Sequence, residues 1–234
     1  MIEPLFHRFI EIGSTNDVAA DLARQGAPEG TVITAQLQTK GRGRRGRQWH
    51  SYPGESVLMT LLLRPAIPLN RFSELAFVAA VAVCGCLLDC GIRPELKWPN
   101  DVLVDGRKIS GILIETASDA ALVGIGLNVR QTDFSLGLNA QATSIALCGG
   151  TCLDVDEVTE SILSHLFCIY ELPFEEILMR WRKYMWGINS RVEVVTEAGN
   201  IVGTISGVAD DGALLLDGGR HRIISAEAIH VLRT

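Results

Sequence analysis

No stretch of this 234-residue chain alternates a basic start, an apolar core and a small-residue end, so no secretory leader is expected. The longest apolar-or-glycine run, from Leu75 to Leu88, is too short to span a bilayer and reads as a buried core helix. No CxxC pair, HExxH or other metal-ligand spacing occurs, nor a GxSxG elbow or a GxxxxGK[ST] phosphate loop, and the GxGxxG spacing of Gly41 to Gly46 opens no clear helix and is too charged to be a dinucleotide fingerprint. The six cysteines are Cys84, Cys86 and Cys90 in or just beyond the apolar run, and the scattered Cys148, Cys152 and Cys168. They read as small buried hydrophobes in a reducing, cytoplasmic setting. Positive charge is also scarce, with 21 Lys and Arg against 27 Asp and Glu and a net charge of −6. That balance excludes a general nucleic-acid-coating protein.

The scarce cations are unevenly spread. Thr39 to Arg47 reads TKGRGRRGR, with Lys40, Arg42, Arg44, Arg45 and Arg47 alternating with Gly41, Gly43 and Gly46. Glycines let backbone N–H groups turn inward, and guanidinium forks grip phosphate or carboxylate. A solvated loop or a nucleic-acid patch is the competing explanation, and the strand patterns on either side argue against a floppy tail.

With 47% apolar and 21% charged residues, the chain has the profile of a globular protein with a well-filled core. Ser14-Thr15-Asn16-Asp17 predicts a helix N-cap and helix ending at Gly26. Strands are expected at 31–36, 56–63 and 122–129, a helix from about Ser73 to Gly91, and a hairpin about Asp105-Gly106. Helix is expected over 154–182, broken near Leu172-Pro173. From Ser190, short strands and Gly-rich turns predict a small, strongly bent β-barrel, placing a domain boundary near Trp186-Gly187. The expected architecture is α+β: a mixed, mainly antiparallel sheet packed by helices in residues 1–186, then the barrel in 187–234.

Several further residues admit two explanations. Lys97 in Lys97-Trp98-Pro99-Asn100-Asp101 is either a surface lysine with a packed stem or a fixed cation beside a rigid turn. Asn128 either ends a strand or faces a ligand, and Ser14-Thr15-Asn16 is either a cap or a polar recognition set.

Taken together and in order, Ser14-Thr15-Asn16, QTKGRGRRGRQW at 38–49, KWPND at 97–101, GRKISGILIE at 106–115 and GIGLNV at 124–129 resemble the biotin–protein ligases. These are the biotin–[acetyl-CoA-carboxylase] ligases, and the likeness covers nearly the whole chain. It departs at Lys40, where the family often has a small residue, and in the closing ISAEAIHVL. The resemblance implies that biotin and Mg-ATP give biotinyl-5′-AMP and pyrophosphate. The biotinyl group then passes to one lysine of a biotin carboxyl carrier domain of acetyl-CoA carboxylase.

The resemblance further implies that Ser14, Thr15, Asn16 and Gln38 meet the ureido ring. Arg42, Gly43 and Arg44 would follow the biotin tail and the adenylate phosphate. Lys97 would hold the carboxylate and α-phosphate, making Lys97 and Arg42 the catalytic residues. Gly111 and Ile112 would line the valeryl chain by backbone. Arg47, Trp49 and Asn128 would complete the nucleotide side, and the 41–47 loop would order when ligand binds. No direct metal ligands, DNA contact or membrane association are expected. Only thirteen residues precede Ser14, which implies a stand-alone ligase without a DNA-binding domain. The 102–114 hairpin offers an edge that could pair two copies of the chain. A lipoate or octanoate ligase on the same fold, and a nucleic-acid-binding module using the arginine loop, are the alternatives.

Overall fold

A computed structural model describes residues 2–134 and 142–232. A strand β1 (Leu5–Ile12) leads into helix α1 (Thr15–Arg24) and back into β2 (Thr31–Gln38). A helical crossover returns the chain in the same direction, so β1 and β2 pair parallel, Leu5 opposite Thr31 and Ile12 opposite Gln38. After the arginine loop come β3 (Ser56–Leu63), α2 (Leu75–Asp89), β4 (Glu95–Lys97), β5 (Asp101–Val104), β6 (Arg107–Ala117) and β7 (Ala120–Asn128). The sheet runs β1-β2-β3-β7-β6-β5-β4, and every pair after the first is antiparallel.

Sheet coverage explains the apolar runs. Every residue of β3 is buried, because α1 packs on one face and α2 and α3 (Val155–Ile169) cover the other. Ala19 and Ala23 of α1 meet Ile33, Leu62 and Leu122 on the first face. The apolar Leu75–Leu88 run is the body of α2, set between the sheet and helices α3 and α4 (Phe174–Arg182). Phe77 is 5.6 Å from the Phe174 ring and 5.2 Å from the Trp181 ring, which pins α4. The helical stretch Leu69–Asp89 is long and apolar enough to cross a membrane by composition, but 67% of its most apolar 18-residue window is buried in this core.

The second sheet, β8 (Arg191–Thr196), β9 (Gly199–Val208), β10 (Leu214–Leu216), β11 (His221–Ile223) and β12 (Ala228–Val231), has the order β11-β10-β9-β8-β12 and is antiparallel. Strand β9 pairs with β8 along its first part and with β10 along its second, giving the small, strongly bent β unit expected after Ser190. Trp98 Nε1 donates to Gly212 O at 2.8 Å, tying this sheet to the first.

Other differences have local causes. Strands β1 and β4 escape the sequence patterns: β1 is an exposed edge with no clean alternation, and β4 has three residues. The β5–β6 hairpin is not a free edge, because β4 covers β5 at Glu95–Lys97. The exposed edge of the sheet is β1, whereas β4 is covered on its outer side, where Leu96 N donates to Tyr184 O and Leu96 O accepts from Trp186 N.

Burial pushes the thiols of Cys84, Cys86 and Cys90 upward, that of Cys84 to about 12, while Cys168 is exposed. In the native protein at pH 8, a thiol reagent should label Cys168 rapidly and leave those three unreacted until denaturant is added. Prompt labelling of Cys84 would show that α2 is not packed as described.

Candidate active site

The first turn of α1 meets the end of β2 through polar contacts. Ser14 is extended and buried, and its carbonyl accepts from Val18 N. Gln38 Oε1 accepts from Thr15 N at 2.7 Å and from Thr15 Oγ1 at 3.0 Å. Thr60, buried in the middle of β3, places its hydroxyl 2.8 Å from Thr15 Oγ1 and 2.5 Å from Asn16 Oδ1. Asn16 Nδ2 donates to Glu115 Oε2 at 2.6 Å. The chain of contacts then enters the arginine loop: Arg42 donates from Nε and Nη2 to Glu115 at 3.1 and 2.9 Å, and Nη2 also lies 2.7 Å from Asp17. Hydrogen bonds to Glu115 first, then to Asp17, raise the Arg42 pKa above the ordinary arginine value. Gly124 is required here, since a Cβ would fall 2.6 Å from Asn16 Oδ1.

The loop itself is a closed turn. Gly43 N donates to Arg47 O, Trp49 N donates to Gly41 O, and Arg42 and Gln48 form a bridge. Arg45 and Gly46 adopt positive φ, 56° and 72°, where only glycine sits without cost. Beyond the loop, the Trp49 ring lies on Gly126 of β7 and beside Gly111 of β6; Cβ atoms there would come 2.6 and 3.2 Å from it. The indole Nε1–H is buried and has no acceptor among the described residues.

The other side of the loop meets the second sheet. Arg45 contacts Glu227 at 2.8 Å, Glu197 at 3.0 Å and Ser225 Oγ at 3.3 Å, and Arg47 Nη2 donates to Glu227 O at 2.7 Å. Lys97, ending β4, donates to Ile229 O at 3.1 Å and lies 4.8 Å from the Trp186 ring. Burial lowers its pKa below the ordinary lysine value, with nearby Lys108 and Arg47 adding to the effect and Asp101 opposing it. The next residues make a cis Trp98–Pro99 turn held to β6, because Asn100 Nδ2 donates to Ile112 O and Asn100 O accepts from Ile112 N. Lys108 pairs with Asp101 at 2.5 Å and sits over Gly111.

Cation pairing is uneven. Arg42, Arg45 and Lys108 face carboxylates, whereas Arg44, Arg47 and Lys97 have no carboxylate partner among the described residues. Arg44 reaches only Asn100 Oδ1, at 3.4 Å; burial lowers its pKa, and the charges of Arg45 and Arg47 lower it further. Unpaired cations crowded into a half-buried place favour an anion there.

The polar set Ser14, Thr15, Asn16 and Gln38, the loop residues Arg42, Gly43 and Arg44, and Trp49, Gly111 and Ile112 thus lie along one connected surface from α1 to β6. Arg47 and Lys97 stand at its second-sheet end. Asn128 is different: it is buried, donates to Thr143 O at 2.9 Å and is 3.5 Å from Ser56 Oγ, so its amide ties the chain after β7. Sequence patterns passed over Thr60, hidden in an apolar run, and Asp17, Glu115, Lys108 and Glu227. Of these, Glu115 and Lys108 carried a signal, as the charged residues of the GRKISGILIE segment.

Comparison with known proteins puts this geometry in context. Residues 8–131 match the profile of the biotin/lipoate A/B protein ligase family, and residues 187–231 match the biotin protein ligase C-terminal domain. The chain is 32% identical over 233 residues to a biotin–[acetyl-CoA-carboxylase] ligase of Mycobacterium tuberculosis, covering 94% of this chain and 87% of the relative. It is 37% identical over 222 residues to a bifunctional ligase/repressor of Bacillus subtilis, covering 88% of this chain and 67% of that one. A biotin protein ligase from Aquifex aeolicus, solved in complex with biotin and ATP, superimposes with a TM-score of 0.82 at 30% identity. That match covers 97% of this chain and 99% of the other.

The close approach of Gly126 to Trp49 gives a test independent of activity. Gly126→Ala should destabilise the protein by about 1–3 kcal/mol and shift the Trp49 fluorescence, both read in a urea titration. An unchanged midpoint and spectrum would mean that Trp49 does not lie on β7.

Proposed function

The chain belongs to the biotin/lipoate A/B protein ligase family, and from that premise we propose how its residues divide the work. The reaction is that of a biotin–[acetyl-CoA-carboxylase] ligase. A biotin carboxylate oxygen attacks the α-phosphorus of ATP, the bond to the β-phosphate oxygen breaks, and pyrophosphate leaves behind biotinyl-5′-AMP. A carrier lysine amine then attacks the acyl carbon, loses a proton, and AMP departs.

The observation that carries our assignment is the set of unpaired cations, Arg44, Arg47 and Lys97, at the end of a neutral polar chain. The first step brings a carboxylate against a triphosphate, and fixed positive charge at that meeting point lowers the barrier. We assign Lys97 to the carboxylate and α-phosphate, Arg44 to the adenylate phosphate, and Arg47 to the phosphates behind it. Arg42, already shared between Glu115 and Asp17, borders the biotin tail with Gly43. Ser14, Thr15, Asn16 and Gln38 offer short hydroxyls and amides, which suit a neutral cyclic urea. Gly111 and Ile112 line the valeryl chain, and Trp49, whose open N–H supports a ligand contact, lies beside the tail or the adenine. Asn128 we place behind the nucleotide, ordering the 143–145 segment that would face it. Magnesium enters with the ATP substrate in this scheme.

Residues 1–186 form the catalytic domain and 187–234 the smaller one in this scheme, supported by the start of the second sheet at Arg191. The acceptor is the biotin carboxyl carrier domain of acetyl-CoA carboxylase, met in the cytoplasm without DNA or membrane. A homodimer, in this reading, would join through β1, the exposed edge of the large sheet.

Exchange of labelled pyrophosphate into ATP tests the assignment directly. Exchange should depend on biotin, and Lys97→Ala should lower it by more than about tenfold with the fold intact. Exchange driven by lipoate alone, or none, would sink the proposal. Because burial depresses the Lys97 pKa, the ammonium is lost below the ordinary lysine value of 10.5 as pH rises. The alkaline limb of kcat/KM for biotin should therefore fall early in the native enzyme and move upward in Lys97→Arg; identical limbs would remove Lys97 from the chemistry.

A further inference from the structure

Glu115 stands on the same face of β6 as Gly111 and Leu113, by strand alternation, and so on the face that carries Trp49 and lies under α1. Its carboxylate accepts three hydrogen bonds: from Arg42 Nε at 3.1 Å, from Arg42 Nη2 at 2.9 Å and from Asn16 Nδ2 at 2.6 Å. With Asp17 taking the second Nη2 hydrogen, three of the five guanidinium N–H groups are committed. Both hydrogens of Nη1 are left without a partner among the described residues, so the guanidinium is presented in one orientation with one amino group open. Asn16 is fixed at the same time, because its Oδ1 accepts from Thr60 and its Nδ2 is held by Glu115.

We propose that Glu115 is a positioning residue that couples Asn16 to Arg42, so that the contacts to the ureido end and the tail of biotin form as one unit. The proposal rests on the assignment of Asn16 and Arg42 to biotin made above. Its physical basis is that a carboxylate offers only acceptors, and all three groups facing it are donors. An amide in its place would turn its own N–H toward a donor and leave one donor unmet. Both arms would then lose their reference point, although Glu115 itself touches no reacting atom. The chain Gln38–Thr15–Thr60–Asn16–Glu115–Arg42 is continuous, so a displacement at either end reaches the other through paired polar groups.

Isothermal titration of the full-length protein with biotin, and separately with ATP, tests this. Glu115→Gln should weaken biotin binding by about tenfold, the effect of losing one charge-assisted hydrogen bond, and leave ATP binding within about twofold. Glu115→Asp, which keeps the charge, should recover part of the loss. A double-mutant cycle separates positioning from simple destabilisation: Asn16→Ala and Arg42→Ala should be non-additive in biotin affinity in the native background and additive in Glu115→Gln. Equal coupling in both backgrounds, or equal losses for biotin and ATP, overturns the positioning role. Should Glu115→Gln not fold, undiminished biotin affinity in Glu115→Asp together with additive Asn16 and Arg42 effects in the native background does the same. Failure of the native protein to bind biotin at all would overturn the functional reading beneath it, a result distinct from either.

Discussion

Arg42 lies between Asp17 and Glu115, Arg45 lies between Glu197 and Glu227, and the glycine-rich turn between them has no apolar core of its own. The loop keeps its shape because ion pairs hold it on two sides, once to the large sheet and once to the small one. Such partly exposed pairs contribute only about 0.2–1 kcal/mol each, so the hold is firm enough to set a geometry and weak enough to be exchanged for a ligand's charge. The loop cations with no carboxylate, Arg44 and Arg47, are carried to their places by those that have one, while Lys97 reaches the same place from the end of β4. This division of labour within nine residues explains why so much of a scarce charge is gathered there: part of it anchors and part of it is left open.

The second sheet has a role in this arrangement that its small size conceals. Its segment from Ser225 to Ile229 receives Arg45, Arg47 and Lys97, and Gly212 receives the indole of Trp98. All of these come from the loop or from the KWPND turn. The smaller sheet thereby forms one wall of the site, and movement between the two sheets would change the position of three cations together.

Much of this was legible in the sequence, for reasons that can be traced to particular residues. GIGLNV was among the segments that carried the resemblance, and the structure puts Asn16 and Trp49 against its Gly124 and Gly126. The Asp105-Gly106 turn, the largely buried α2 and the break at Pro173 followed from local chemistry alone. What remained hidden was whatever depends on distant pairing. Glu227 is 182 residues from Arg45, and nothing near it marks it as a partner. Thr60 sits among six apolar neighbours in β3, so its hydroxyl reads as a strand filler until Asn16 is brought beside it. Strand β1 was missed because an edge strand exposed on both faces has no alternation to show. The small β unit after Ser190 was legible because Gly-rich turns mark its short strands, but the strand order β11-β10-β9-β8-β12 depends on pairings that no local pattern states.

The account holds that the open cations bring a carboxylate and a nucleotide together inside this chain, before any carrier arrives. The most direct test is to incubate the protein with biotin and Mg-ATP in the absence of carrier, remove free ligand, and identify what stays bound by mass spectrometry. The prediction is biotinyl-5′-AMP at close to one equivalent per chain, lost when Lys97 is replaced by alanine. Recovery of ATP and biotin unreacted, or an adenylate formed from lipoate but not from biotin, would contradict it.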